Sequence, residues 1–225
     1  RFQAKAVETM NLLNYNSPIM RFLERVFDLL MLNLVTLVLC IPLVTAGGAM
    51  TALYKTLFDL REQQGSVLSG YWQTFRAEFR PALPLGLLSL LAEAAFGAYL
   101  LLFLAELSAG TVWTWIAVVA IGVLLFFPMA YVFALFARYQ NTVKKTIVNA
   151  FFLSVRHLLT TILVLALHLL PVLLIWVFPA YSPMIGLIWL FLGISLPAYL
   201  ASGLFRRVFQ QYPQEPPTDG GEETT

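Results

Sequence analysis

All 14 Lys and Arg residues of this chain fall in four segments, which long apolar stretches keep apart. The N-terminal part carries Arg1, Lys5, Arg21 and Arg25, and the first internal polar segment carries Lys55, Arg61, Arg76 and Arg80. The second internal segment carries Arg138, Lys144, Lys145 and Arg156, and the C-terminal end carries Arg206 and Arg207. The intervening connections at 43–48, 106–112 and 179–183 carry none. Positive charge flanking membrane helices is held on the cytoplasmic side. The pattern predicts an all-α polytopic membrane protein with six transmembrane passages as three hairpins and both termini cytoplasmic.

Composition agrees. The chain is 60% apolar and 12% charged, whereas soluble domains are roughly half apolar and a quarter charged. Cationic groups beside membrane ends meet anionic lipid headgroups, and this segregation argues against a nucleic-acid partner. The single cysteine, Cys40, excludes an intrachain disulfide and a Cys-rich metal site.

The passages are expected at 22–40, 49–62, 81–105, 112–137, 158–178 and 184–205. The second is short for a span of about 20 residues, so the first hairpin either spans with Lys55 reaching the inner surface or is only partly inserted. Two amphipathic helices are expected along the cytoplasmic interface. One carries Leu68, Tyr71, Trp72, Phe75 and Phe79 at helical spacing, with Arg76 and Arg80 between them. The other carries Val143, Ile147, Phe151, Val155 and Leu158, with Lys144, Lys145 and Arg156 on its other faces. Residues 1–21 read as a cytoplasmic arm, 22–208 as one transmembrane domain, and 209–225 as a disordered acidic tail. Trp113, Trp115, Trp176, Tyr181 and Trp189 cluster near the outer ends, as interfacial aromatics do. Tyr54/Arg61, Tyr131/Arg138 and Tyr199/Arg206 recur at one spacing near the inner ends, which fits duplicated hairpins or convergence on one boundary chemistry.

Motifs for chemistry are missing. There is no G-x-x-x-x-G-K-[ST], no H-E-x-x-H and no G-x-S-x-G. The expectation is a non-enzymatic protein with no catalytic residues, no metal and no cofactor. The anomaly is polar residues inside the spans: Asn33, Glu93 and His168. Each lies 12 to 13 residues from Arg21, Arg80 or Arg156, or about 18–20 Å of helix. They are expected to share one layer near the bilayer midplane. That layer is either a solute or proton site, or hydrogen-bonded packing between helices. Packing is favoured, because three residues are few for a transport pathway.

The second candidate is a docking or interfacial face formed by Tyr71, Trp72, Phe75, Arg76, Phe151, Phe152 and Arg156. An aromatic and basic helix between membrane passages anchors to lipid or meets a cytoplasmic partner.

Several strings resemble the YesL-like family of bacterial multi-pass membrane proteins, a domain of unknown function. They are Asn14-Tyr-Asn-Ser-Pro-Ile-Met-Arg-Phe-Leu23, Cys40-Ile-Pro-Leu-Val-Thr-Ala-Gly-Gly-Ala-Met-Thr-Ala-Leu-Tyr54, Asn141-Thr-Val-Lys-Lys-Thr146 continuing through Asn149-Ala-Phe151, and Ser195-Leu-Pro-Ala-Tyr199. The chain departs from the pattern at His168, where the family commonly has Asn. The resemblance implies the bacterial cytoplasmic membrane and genes placed near carbohydrate transporters, with no assigned activity. The functional expectation is an accessory component of ABC-type carbohydrate uptake, meeting permease or ATPase subunits. The alternatives are a small secondary transporter or channel using the polar layer, and a membrane sensor or scaffold.

Overall fold

The computed structural model describes residues 18–62, 66–105, 112–139 and 141–212. Most of the expected arm, the connection at 106–111 and the tail from 213 onward lie outside the described residues. The described residues form helices α1 (Pro18–Cys40), α2 (Ala46–Arg61), α3 (Val67–Ala105), α4 (Val112–Tyr139), α5 (Val143–Arg156), α6 (Leu158–Val177), α7 (Ser182–Leu192) and α8 (Ser195–Phe209). Single 3-10 turns at Leu43–Thr45 and Pro179–Tyr181 lead into α2 and α7. No strand occurs among the described residues.

Three helices, α3, α4 and α6, are long and apolar enough to cross a membrane. A fourth candidate is the pair 179–192 and 195–209, bent by 58° at a short break. Only 6%, 22% and 17% of the most apolar windows of α3, α4 and α6 are buried. Apolar surface left outside on that scale is compatible with hydrocarbon as the surroundings of these helices.

The expected six passages therefore reduce to three or four candidates. Helix α1 carries Arg21, Glu24, Arg25 and Asp28 in its first turns, and charged groups are costly in hydrocarbon. Helix α2 has 16 residues, or about 24 Å, short of the roughly 30 Å core. Its packing against α3 gives the depth. Gly47, at the tip of the first hairpin, meets Gly86 of α3. Gly86 lies just past Pro81, where the apolar run of α3 begins, and 19 residues, or about 28 Å of helix, remain beyond it to Ala105. The tip of the hairpin therefore packs beside the start of that apolar run. A hairpin that leaves by the side it entered does not change parity, so four crossings, like six, return the chain to its starting side.

The first amphipathic segment is not a separate helix. It is continuous with the third span as one helix of 39 residues, with Pro81 and Pro84 inside it. Pro81 resembles a boundary in sequence, but neighbouring helices support proline within membrane bundles. The second segment is a separate helix, α5, ending where His157 leaves helical geometry at φ −114 and ψ 51.

The C-terminal ends of α2, α4 and α8 share an aromatic core. The Phe205 ring lies 4.8 Å from Tyr131 and 6.0 Å from Tyr54. Phe209 packs 6.1 Å from Phe58 and 5.5 Å from Tyr139. The recurring Tyr positions on α2 and α4 are thus buried and converge on one phenylalanine. Arginines close the layer below. Arg61 lies 4.0 Å over the Tyr199 ring and donates from Nε to Ser202 at 2.8 Å, while Arg25 donates to the Leu60 carbonyl at 2.8 Å.

A Cβ at Gly47 would lie 2.7 Å from the Gly86 Cα and 2.8 Å from the Ala82 carbonyl oxygen. These are main-chain atoms and cannot swing aside. Gly47→Ala and Gly86→Ala should each destabilise the protein by about 1–3 kcal/mol. Gly97→Ala, which meets nothing within 4 Å, should cost nothing. Denaturation in detergent reads all three.

Candidate functional site

The three residues expected in one polar layer divide into two places. Asn33 is fully buried on α1. Its Nδ2 donates to the Leu190 carbonyl at 2.8 Å, and its Oδ1 accepts from the amides of Ile194 and Ser195, each at 2.9 Å. In an unbroken helix the Ile194 amide would bond to the Leu190 carbonyl. The Asn33 carboxamide stands between those two groups and satisfies both. Pro197 contributes to the break, because it has no N–H for the Gly193 carbonyl. Asn33 is therefore the tie across the bend between α7 and α8.

Glu93 and His168 do come together. Both line a cavity of about 190 Å³ walled by Met50, Tyr54, Phe126, Met129, Ala130, Phe133 and Leu165. The Nδ1 of His168 lies 2.8 Å from the Val164 carbonyl. A carbonyl only accepts, so Nδ1 carries a proton and donates it to Val164. The Glu93 carboxyl makes no hydrogen bond or ion pair among the described residues. The packing role expected of it is absent within the described chain.

The expected docking face is also divided. Tyr71 does not belong to it. Its ring is 1% exposed, and its hydroxyl donates to the Ala49 carbonyl at 3.2 Å and accepts from Thr36 at 3.1 Å. Helices α1 and α2 enclose that side of α3. The next residue, Trp72, is 43% exposed. It stacks on Phe75 at 5.7 Å, and the Arg76 guanidinium lies 5.1 Å from its ring. Phe75 in turn packs 5.7 Å from Phe79. On α5, Phe151 and Phe152 are exposed and 6.1 Å apart. Arg156 lies 5.6 Å over the Tyr212 ring, so its charge is engaged by the chain's own C-terminal segment.

A polar cavity of about 490 Å³ at the C-terminal ends of α2, α4 and α8 was not foreseen. Lys55, Asp59 and Glu62 share one face of α2 and face Arg138, Tyr139 and Tyr212 across it. Their i, i+4, i+7 spacing was the available signal. Burial pushes the Asp59 carboxyl above its usual range, against the opposing effect of Lys55. No group of three His, Cys, Asp or Glu side chains suited to a metal occurs among the described residues.

In comparison with known proteins, a family described as "Protein of unknown function, DUF624" matches residues 29–105. The matched stretch runs from the middle of α1 through the Gly47–Gly86 contact to the end of α3. Over it, the chain is similar to a family without an assigned activity. The motif at 40–54 lies inside this match, whereas those at 141–151 and 195–199 lie outside it. No curated protein and no solved structure matches the chain.

Replacing Asn33 by Ala leaves a carbonyl and two amides without partners in a buried site. Each such group costs about 1–3 kcal/mol, so Asn33→Ala should lose at least about 2 kcal/mol of stability. The exposed Asn149→Ala should stay within about 0.5 kcal/mol of the parent. Chemical denaturation of both variants in micelles provides the comparison.

Proposed function

We propose that this is a non-enzymatic integral protein of the bacterial cytoplasmic membrane, an accessory component of ABC-type carbohydrate uptake. It holds a cytoplasmic permease or ATPase subunit against its inner face, with both termini on that side. The observation that carries this reading is the Trp72–Phe75–Arg76 stack. An indole and a guanidinium lie 5.1 Å apart and are left open, on a helix whose adjacent side is locked into the fold through Tyr71. Trp and Arg are the residues most often found as anchors in protein interfaces. The exposed Phe151 and Phe152 extend the apolar surface onto α5. The carbohydrate association comes from the YesL-like resemblance, and the orientation from the one-sided distribution of Lys and Arg.

The test is affinity purification of the tagged protein from native membranes. Replacing Trp72, Phe151 and Phe152 together by Ala should leave insertion intact and reduce recovery of importer subunits by about tenfold or more. Equal recovery with parent and variant would refute the docking role.

A second reading is favoured by the cavity that joins Glu93 and His168. A carboxyl without a hydrogen bond and an imidazole lining the same cavity are the equipment of a proton-linked solute pathway. On this reading, liposomes containing the parent should show solute flux driven by a pH gradient, and Glu93→Gln should abolish it while the protein still folds. Absence of flux from parent liposomes would sink the reading.

A further inference from the structure

A groove of about 260 Å³ runs between α3, α4 and α5, lined among others by Leu85, Leu88, Ala92, Leu125, Pro128 and Ile147. Two of its walls are helices long and apolar enough to span a membrane, so it opens to hydrocarbon. Ser89 also lines it, but its hydroxyl is committed to the Gly86 carbonyl at 2.8 Å. Nothing in the groove asks for a polar ligand. The chemistry at its inner end differs. Arg80, Pro84 and Leu88 lie at i, i+4 and i+8, on one stripe of α3, which places Arg80 about two turns before Leu88 of the groove wall. Lys144 stands one turn before Ile147 on α5. Both cations are exposed.

We propose that this is a binding site for an anionic phospholipid. One acyl chain occupies the groove, and the phosphate is held between Arg80 and Lys144. An apolar slot with cations at one end matches the two parts of such a lipid, as basic pockets between membrane helices do. A zwitterionic lipid offers the same chain and less net attraction. The site is separate from the docking face: it uses neither Trp72 nor Phe151 or Phe152, so each proposal can fail without the other.

Native mass spectrometry of the full chain, stripped of lipid in detergent, tests it with phosphatidylglycerol and phosphatidylcholine added at equal concentration. The parent should retain phosphatidylglycerol about tenfold or more over phosphatidylcholine. The double variant Arg80→Gln, Lys144→Gln should lose that preference. Ala92→Phe, which fills the slot, should lose retention of both lipids. Glycerol phosphate, which has the charge and no chain, should not displace the bound lipid. Equal retention of the two lipids by the parent would overturn the proposal, as would an unchanged preference in the double variant. Unchanged retention in Ala92→Phe, or displacement by glycerol phosphate, would overturn the acyl-chain half and with it the site.

Discussion

A peptide group in hydrocarbon has no water to turn to, so a membrane helix can break only where something else supplies its hydrogen bonds. Here the supplier is one side chain. The Asn33 carboxamide is inserted into the backbone ladder of the last candidate span, accepting from two amides and donating to one carbonyl. This fixes more than the break. It binds α1 to the far end of the chain, and through Tyr71 and Thr36 the same helix is bound to α3. The first hairpin thus acts as a strut between the span that leads the bundle and the bent pair that ends it.

The inner layer follows a different logic. Rings from α2, α4 and α8 pack on Phe205 and Phe209, with the Arg61 and Arg138 guanidinium groups over the faces of Tyr199 and Phe58. Aromatic packing tolerates a boundary between apolar and wet surroundings, because the ring is apolar and the hydroxyl or cation beside it is not. One arrangement therefore serves as core on one side and as the wall of a polar cavity on the other.

Much of this was legible in the sequence. The segregation of Lys and Arg and the apolar runs indicate an all-helical membrane chain. What failed depended on partners distant in sequence. Counting from Arg21 groups Asn33 with Glu93 and His168, but a count along the chain does not show which side chains share a cavity, and Asn33 does not line theirs. The partners of Asn33 are main-chain groups 157 to 162 residues away. Tyr71 shares the i, i+4 stripe of Phe75, and no local pattern reveals that Thr36 and Ala49 close over it. Pro81 carried the signal of a boundary, yet α3 continues through it.

The contact of Gly47 with Gly86 is main chain against main chain. No side chain mediates it, so no substitution on either helix can be compensated by one on the other. The contact behaves as a mechanical stop that sets how far the first hairpin reaches along α3. A bilayer that thins or thickens changes the tilt of spanning helices. The hairpin, held at its stop, must travel with α3 as one rigid part and keep its depth relative to that helix rather than to the lipid.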